Sequence, residues 1–186
     1  MKTTALAHHY WKESLHPEAI VIDATCGNGQ DTLVLAQLLK GSGKVFGYDI
    51  QQEALEKTAA LLKAQLSPPE WEIVILHHSS HAHFKESSAN LIVYNLGYLP
   101  KGNKAVTTQV DTTLQSLAHA CEILTEGGLI SVMTYSGHVE GAKEEAAVLE
   151  FSKNLASSRW SVLHHRWLNR KQAPSLLLMW KGAGPS

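Results

Sequence analysis

Carboxylates set around a pair of glycines are the first residues in this chain whose spacing suggests chemistry. In VIDATCGNGQDT (residues 21–32) a hydrophobic run ends at Asp23, Gly27 and Gly29 follow, and Asp31 comes two residues later. Glycines placed directly after a strand let the backbone close on a ligand and aim amide N–H groups outward at the start of the next helix. Two classes of nucleotide-bearing ligand are held this way, and they make opposite demands on charge. A dinucleotide brings a pyrophosphate, which carboxylates repel, and asks for G-x-G-x-x-G. Here Thr32 stands in the place of the third glycine. S-adenosylmethionine brings an ammonium, a carboxylate and a sulfonium, with no pyrophosphate. Asp23, at the tip of the strand, can hold that ammonium directly or through water, and Asp31 adds a second negative charge. Asp49, which ends the run KVFGYD, suits both ribose hydroxyls of either ligand. A plainer use of these acids, as turn residues capping the following helix, stands beside the ligand reading.

An acceptor site is expected in YNLGYLPKGNK (94–104), which follows the fourth strand-like run. Methyl transfer is an in-line displacement that brings the acceptor atom to roughly 3 Å from the methyl carbon. Were the acceptor an amine, it would have to be neutral to offer its lone pair, and a dry pocket and hydrogen-bond acceptors that orient its N–H groups would favour the reaction. Asn95 Oδ1 and a backbone carbonyl can do the orienting, Tyr98 offers an aromatic face, and Gly97 leaves room. The loop partly resembles the N-P-P-Y motif of amino methyltransferases, but "NLGY" lacks both prolines, so adenine is not inferred as the target. Beyond the fifth run, Tyr135 and His138 can close the other side of the crevice, with His138 as a proton acceptor. The cluster His77, His78, His81 and His83 has no cysteine partner and no H-E-x-x-H helix, so no metal is expected.

These residues need a scaffold that brings strand ends together. Runs at 19–24, 44–50, 71–77, 90–96 and 128–134 are short and rich in Val, Ile or aromatics, and read as buried parallel strands. Helical periods fill 31–40, 51–66 and 109–125. In the last, Val110, Leu114, Leu117, Cys121 and Leu124 form an apolar stripe that Gly127 and Gly128 are expected to end. A short helix at 3–15 precedes the first strand. SPPE (67–70) and PKGN (100–103) read as loops. WSVLHHRWL (160–168) and SLLLMWKG (175–182) leave no room for a helix between them, so a terminal antiparallel hairpin is expected over about 160–181. Trp160, Trp167 and Trp180 would pack it against the sheet. The expected class is therefore α/β: a Rossmann-like, doubly wound, seven-stranded sheet of five parallel strands plus that hairpin.

Composition narrows the partners. The 186 residues suit one domain spanning 1–186, and 44% hydrophobic with 18% charged residues suits a globular chain. His, Lys and Glu interrupt the N-terminal stretch before a signal-peptide core can form, and no run is long enough to cross a bilayer, so a cytoplasmic protein without membrane contact is expected. Two cysteines give no disulfide framework. A net charge of −1 conceals an asymmetry: no Asp or Glu follows Glu150, while Lys153, Arg159, Arg166, Arg170, Lys171 and Lys181 do. That basic segment is a candidate phosphate-facing surface, or a solvated face.

Taken together, DATCGNGQDT, YDIQ, SSHAHF, NLGYLPKGNK and YSGHVEGAKEE resemble the MnmM family of class I S-adenosylmethionine-dependent tRNA methyltransferases, over nearly the whole chain. The resemblance implies N-methylation of the aminomethyl group on the 2-thiouridine at the tRNA wobble position, with the anticodon region of tRNA as partner. It implies that Asn28 and Asp31 hold the methionine end of S-adenosylmethionine, that Asp49 and Gln51 hold the ribose, and that Ser80 and His81 flank the adenine. Relatives carry an acid before the Ser-His pair, where this chain has Ser79. So small a domain gripping a tRNA suggests a homodimer. The alternatives are a methyltransferase of another RNA or a small amine, an NAD-dependent oxidoreductase, and a non-catalytic binding protein on the same fold.

Overall fold

In the computed structural model, which describes residues 2–97, 109–170 and 173–182, the chain forms α1 (Thr3–Ser14), β1 (Ile20–Asp23), α2 (Gln30–Leu39), β2 (Lys44–Asp49), α3 (Gln52–Gln65), α4 (Pro68–Glu72) and β3 (Val74–His78). There follow β4 (Ala89–Asn95), α5 (Val110–Ile123), β5 (Leu124–Thr134), α6 (Val139–Lys153), β6 (Trp160–His165) and β7 (Ser175–Lys181). One seven-stranded sheet has the order β3-β2-β1-β4-β5-β7-β6. The first five strands are parallel, and β7 runs antiparallel to both β5 and β6. The expected sheet is thus present, with the antiparallel strand of the hairpin inserted next to β5 and β6 left at the edge.

Strand periodicity sorts the apolar residues onto two faces. Val21, Leu91, Val93 and Leu129 point toward α1 and α2, where Ala7, Trp11, Leu35 and Ala36 are buried. Ile22, Ile92, Tyr94 and Ile130 point to the other face, under Leu117 and Ala120 of α5 and Val148 of α6. Because helices cover both faces, the central strands are continuous hydrophobic runs. The outer strand β3 is only half buried, with Ile75 and His78 exposed, as its place at the edge of the sheet requires.

Four local readings are corrected. SPPE starts the short helix α4, with Ser67 and Glu70 forming a capping box and Pro68 in the first turn, so β3 starts at Val74 and not at Trp71. Helix α5 ends at Ile123, and Gly127 and Gly128 lie inside β5. The last turn of α5 is closed from the sheet: buried Lys181 Nζ donates to the carbonyls of Cys121 and Leu124 at 2.8 and 2.7 Å. The buried face of α5 is Thr113, Ser116, Leu117 and Ala120, rotated from the expected stripe. Polar Thr113 and Ser116 tolerate burial because Glu144, Tyr94 and the His81 carbonyl complete their hydrogen bonds. Among the described residues, no helix is long and apolar enough to cross a membrane.

Candidate active site

Parallel strands put their C-terminal ends on one edge, and the expected site residues follow those ends. Asp23 closes β1, Asp49 closes β2, His78 closes β3 and Asn95 closes β4. The turn after β1 is held from both sides, with Ala24 N donating to Val93 O and Cys26 N to Tyr48 O, each at 2.9 Å. Gly29, the N-cap of α2, adopts φ 77°, and a Cβ there would lie 2.8 Å from Thr58 Oγ1 and 2.9 Å from Thr58 Cα. Only glycine lets α3 approach this closely, and Thr58 Oγ1 then donates to Gly27 O at 3.1 Å.

Asp23 has a different position from the one its place in the sequence suggests. It is 1% exposed, beneath the turn and not facing outward. Thr25 N donates to Oδ1 at 3.1 Å and Thr32 Oγ1 to Oδ2 at 2.6 Å, so the carboxyl braces the loop from below. Burial, then the nearby Asp31, push its pKa up to about 7. At 1% exposure Asp23 is closed off from an ammonium by the turn that covers it, and the outward-facing acid of this turn is Asp31.

Asp31, in the first turn of α2, bridges two elements. Its Oδ1 lies 2.9 Å from His8 Nε2 on α1, and its Oδ2 accepts from Asn95 Nδ2 at 3.0 Å. A carboxylate only accepts, so the amide nitrogen of Asn95 must face it, and Asn95 Oδ1 is turned elsewhere. The Asn95 backbone N–H donates to Thr25 Oγ1 at 2.7 Å, tying β4 to the glycine turn. Tyr135 lies against this group. Burial and then Asp31 raise the pKa of its phenol, while Asn95 opposes them.

Asp49 accepts from Gly27 N at 2.9 Å and from Gln51 N at 2.8 Å, one bond on each oxygen. A carboxylate has about four lone-pair sites, so one on each oxygen stays open for a vicinal diol. Burial raises its pKa against the pull of these backbone donors. Next to it Ile50 is 54% exposed, an apolar side chain at the mouth that the sequence reading overlooked. The loop after β3 is drawn in beside it: Ser79 N donates to Asp49 O at 3.0 Å, and His78 Nε2 lies 3.0 Å from Ile50 O. Ser80 Oγ accepts from Ala82 N, and His81 keeps a buried Nε2 with no hydrogen-bond partner among the described residues. Burial lowers the pKa of His81, opposed by a backbone hydrogen bond with Ala24. A diol acceptor beside an exposed apolar side chain fits the ribose and base of an adenosine. The ammonium and sulfonium of S-adenosylmethionine fit the charge of Asp31.

The remaining expected residues divide. Gly27, Asn28 and Gln51 line the same turns, half buried. Tyr98 lies outside the described residues. His138 is the N-cap of α6, and its Nδ1 accepts from Gly141 N at 3.0 Å. The neutral ring therefore carries its proton on Nε2 and has no lone pair left to take another, so the expected proton acceptor is a helix cap. Of the basic terminal residues, Lys181 is turned inward under α5, Arg159 approaches Glu126 at 3.7 Å, and Arg170 lies 4.7 Å from the Trp167 ring. Trp180 is buried in the core, and Trp167 Nε1 donates to Thr3 Oγ1 at 3.0 Å. Among the described residues, no group of three or more His, Cys, Asp or Glu is arranged for a metal ion.

Comparison with known proteins gives this geometry a context. The family model described as "Putative rRNA methylase" matches residues 45–181. A chloroplastic tRNA (mnm(5)s(2)U34)-methyltransferase of Arabidopsis thaliana is 39% identical over 190 residues, covering 97% of this chain and 69% of that protein. The crystal structure of a putative rRNA-methylase from Clostridium thermocellum superposes with a TM-score of 0.91 at 34% identity, covering 97% of this chain and 98% of that one. A putative methyltransferase from Streptococcus mutans, in complex with SAH, superposes with a TM-score of 0.85 at 32% identity, over the same shares of the two chains.

Proposed function

Since the chain belongs to the family described as "Putative rRNA methylase" and is an S-adenosylmethionine-dependent methyltransferase, we propose that its acceptor is the amine of an aminomethyl group on the wobble uridine of tRNA. The observation that carries this reading is the likeness, along nearly the whole chain, to a relative whose name specifies that nucleoside. Asn95 supplies a chemistry that suits it.

S-adenosylmethionine, when bound, supplies an electrophilic methyl group on a sulfonium. Asp49 and Gln51 would hold its ribose, Ile50, Ser80 and His81 its adenine, and Gly27, Asn28, Gly29 and Asp31 its methionine end. Asn95 is set by Asp31 so that Oδ1 accepts an N–H from the incoming amine. Accepting that proton in a hydrogen bond orients the nitrogen lone pair. The substrate ammonium gives its proton to water before attack. As the N–C bond forms, the C–S bond breaks, and the product leaves as a secondary ammonium. In this reading the anticodon arm meets Arg166 and Arg170 on the basic terminal segment, a second copy of the chain completes the grip, and the enzyme works in the cytoplasm.

The test is methyl transfer with purified chain and labelled donor to three RNAs: tRNA bearing the aminomethyl nucleoside, the same tRNA unmodified, and ribosomal RNA. Nucleoside mass spectrometry should find one added methyl on the aminomethyl uridine and none elsewhere. Labelling of ribosomal RNA or of unmodified tRNA at an equal rate overturns the substrate assignment.

A further inference from the structure

The N-terminal helix carries a residue that the chemistry above leaves unassigned. Helix α1 is fastened to the terminal hairpin at several points: Thr3 Oγ1 donates to Pro174 O at 3.2 Å, Trp167 Nε1 donates to Thr3 Oγ1, and Tyr10 Oη lies 3.0 Å from His165 Nε2. Ala7 and Trp11 are buried on the sheet. So anchored, α1 presents His8 across the mouth of the site, where Nε2 meets Asp31 Oδ1 at 2.9 Å. The imidazole lies against Trp11, with ring centroids 4.8 Å apart.

We propose that His8 is a positioning residue for methyl transfer, fixing Asp31 so that Asp31 in turn fixes the amide of Asn95. The carboxylate cannot donate, so the proton between His8 and Asp31 sits on Nε2. With one oxygen engaged by His8 and the other by Asn95, the carboxylate plane is set by two separate elements. A flip of the Asn95 amide would bring Oδ1 against Asp31 Oδ2, oxygen against oxygen, and is disfavoured while Asp31 stays in place. Without His8 the carboxylate can rotate about its own side chain, and the acceptor oxygen loses its aim. The inference rests on the reading of Asn95 as the group that orients the acceptor amine.

The experiment compares His8→Leu and His8→Gln, alone and combined with Asn95→Ala, in steady-state methylation of aminomethyl tRNA, with thermal melts as a folding control. Leucine keeps apolar contact with Trp11 but removes the donor. Glutamine places an amide nitrogen near the Nε2 position and cannot titrate. A hydrogen bond to a charged group predicts that His8→Leu lowers kcat about tenfold or more. His8→Gln should recover most of that loss with an unchanged pH profile. In the Asn95→Ala background, His8→Leu should cost about twofold at most, because residues acting through one another are not additive. A His8→Leu enzyme within twofold of wild type, a glutamine variant as impaired as the leucine one, or an equal loss in the Asn95→Ala background each overturns the assignment. Nitrogen NMR of the substrate-free protein separates this from failure of the substrate reading. His8 should be the Nε2–H tautomer, and exchange protection of the Asn95 side-chain amide should vanish in His8→Leu. A wild-type chain that labels no aminomethyl tRNA but passes the NMR test refutes the substrate alone, whereas a wild-type His8 that is not the Nε2–H tautomer, or an Asn95 amide still protected in His8→Leu, refutes the role of His8.

Discussion

Replacing Asp23 by Asn should change how stability depends on pH. Asp23 is 1% exposed, and its pKa is raised from 3.8 to about 7, chiefly by burial and next by Asp31. The folded chain therefore binds this proton more tightly than the unfolded chain does. Between those two values the native state holds more protons, so stability falls as pH rises, being fully present below about pH 4 and lost through about pH 7. At ~1.4 kcal/mol per pH unit the whole effect is about 4 kcal/mol, of which roughly 3 kcal/mol falls between pH 5 and 8. Asn keeps an oxygen for Thr25 N and offers an amide to Thr32 Oγ1, which can turn to accept it. Asp23→Asn cannot ionise, so the difference in stability between variant and wild type should move in the variant's favour by that amount from pH 5 to pH 8. Subtracting the two removes the contributions of the histidines that titrate in the same range. Urea unfolding of the ligand-free chain at several pH values measures it. Parallel curves for the two proteins across this range would refute the reasoning that burial controls this carboxyl.

Three further outcomes follow from the geometry. Asp49→Ala removes the acceptor for Gly27 N and Gln51 N together with the diol acceptor, and calorimetry should show S-adenosylmethionine binding weakened at least tenfold, a loss of about 1.4 kcal/mol or more. Gly29→Ala combines a left-handed backbone with a Cβ 2.9 Å from Thr58 Cα, so thermal unfolding should report destabilisation by more than about 1 kcal/mol, and donor binding should fall with it. Lys181→Met deletes a buried ammonium that closes α5. Three carbonyls lose their donor, and chemical denaturation should show a loss of about 2 kcal/mol with little change in donor affinity, since that end of the sheet lies away from the glycine turn.

Local spacing determined the alternation of strands and helices, the glycine turn, the acids at the ends of β1 and β2, and the hairpin that ends the sheet. Each is a short-range pattern: apolar runs of strand length, glycine where the backbone must turn left-handed, and too few residues between two runs for a crossover helix. Helix α6 was not read in advance, because its buried positions include Gly141, Glu144 and Ser152 and give little apolar contrast. What a carboxylate or imidazole does depends on which way it faces and what it meets, and partners many residues apart decide that. Asp23 and Asp31 stand eight positions apart on either side of one turn, yet one is sealed beneath it by Thr32 while the other spans His8 and Asn95. His138 reads as a base in the sequence and becomes a cap once Gly141 N is set against its Nδ1. His8, with no motif of its own, reaches the mouth only because the hairpin, more than 150 residues later in the chain, fixes the helix that carries it. The sequence by itself determined which residue types line the edge of the sheet. Tertiary structure alone decided their orientation, because hydrogen-bond geometry and burial are properties of groups that only folding brings together.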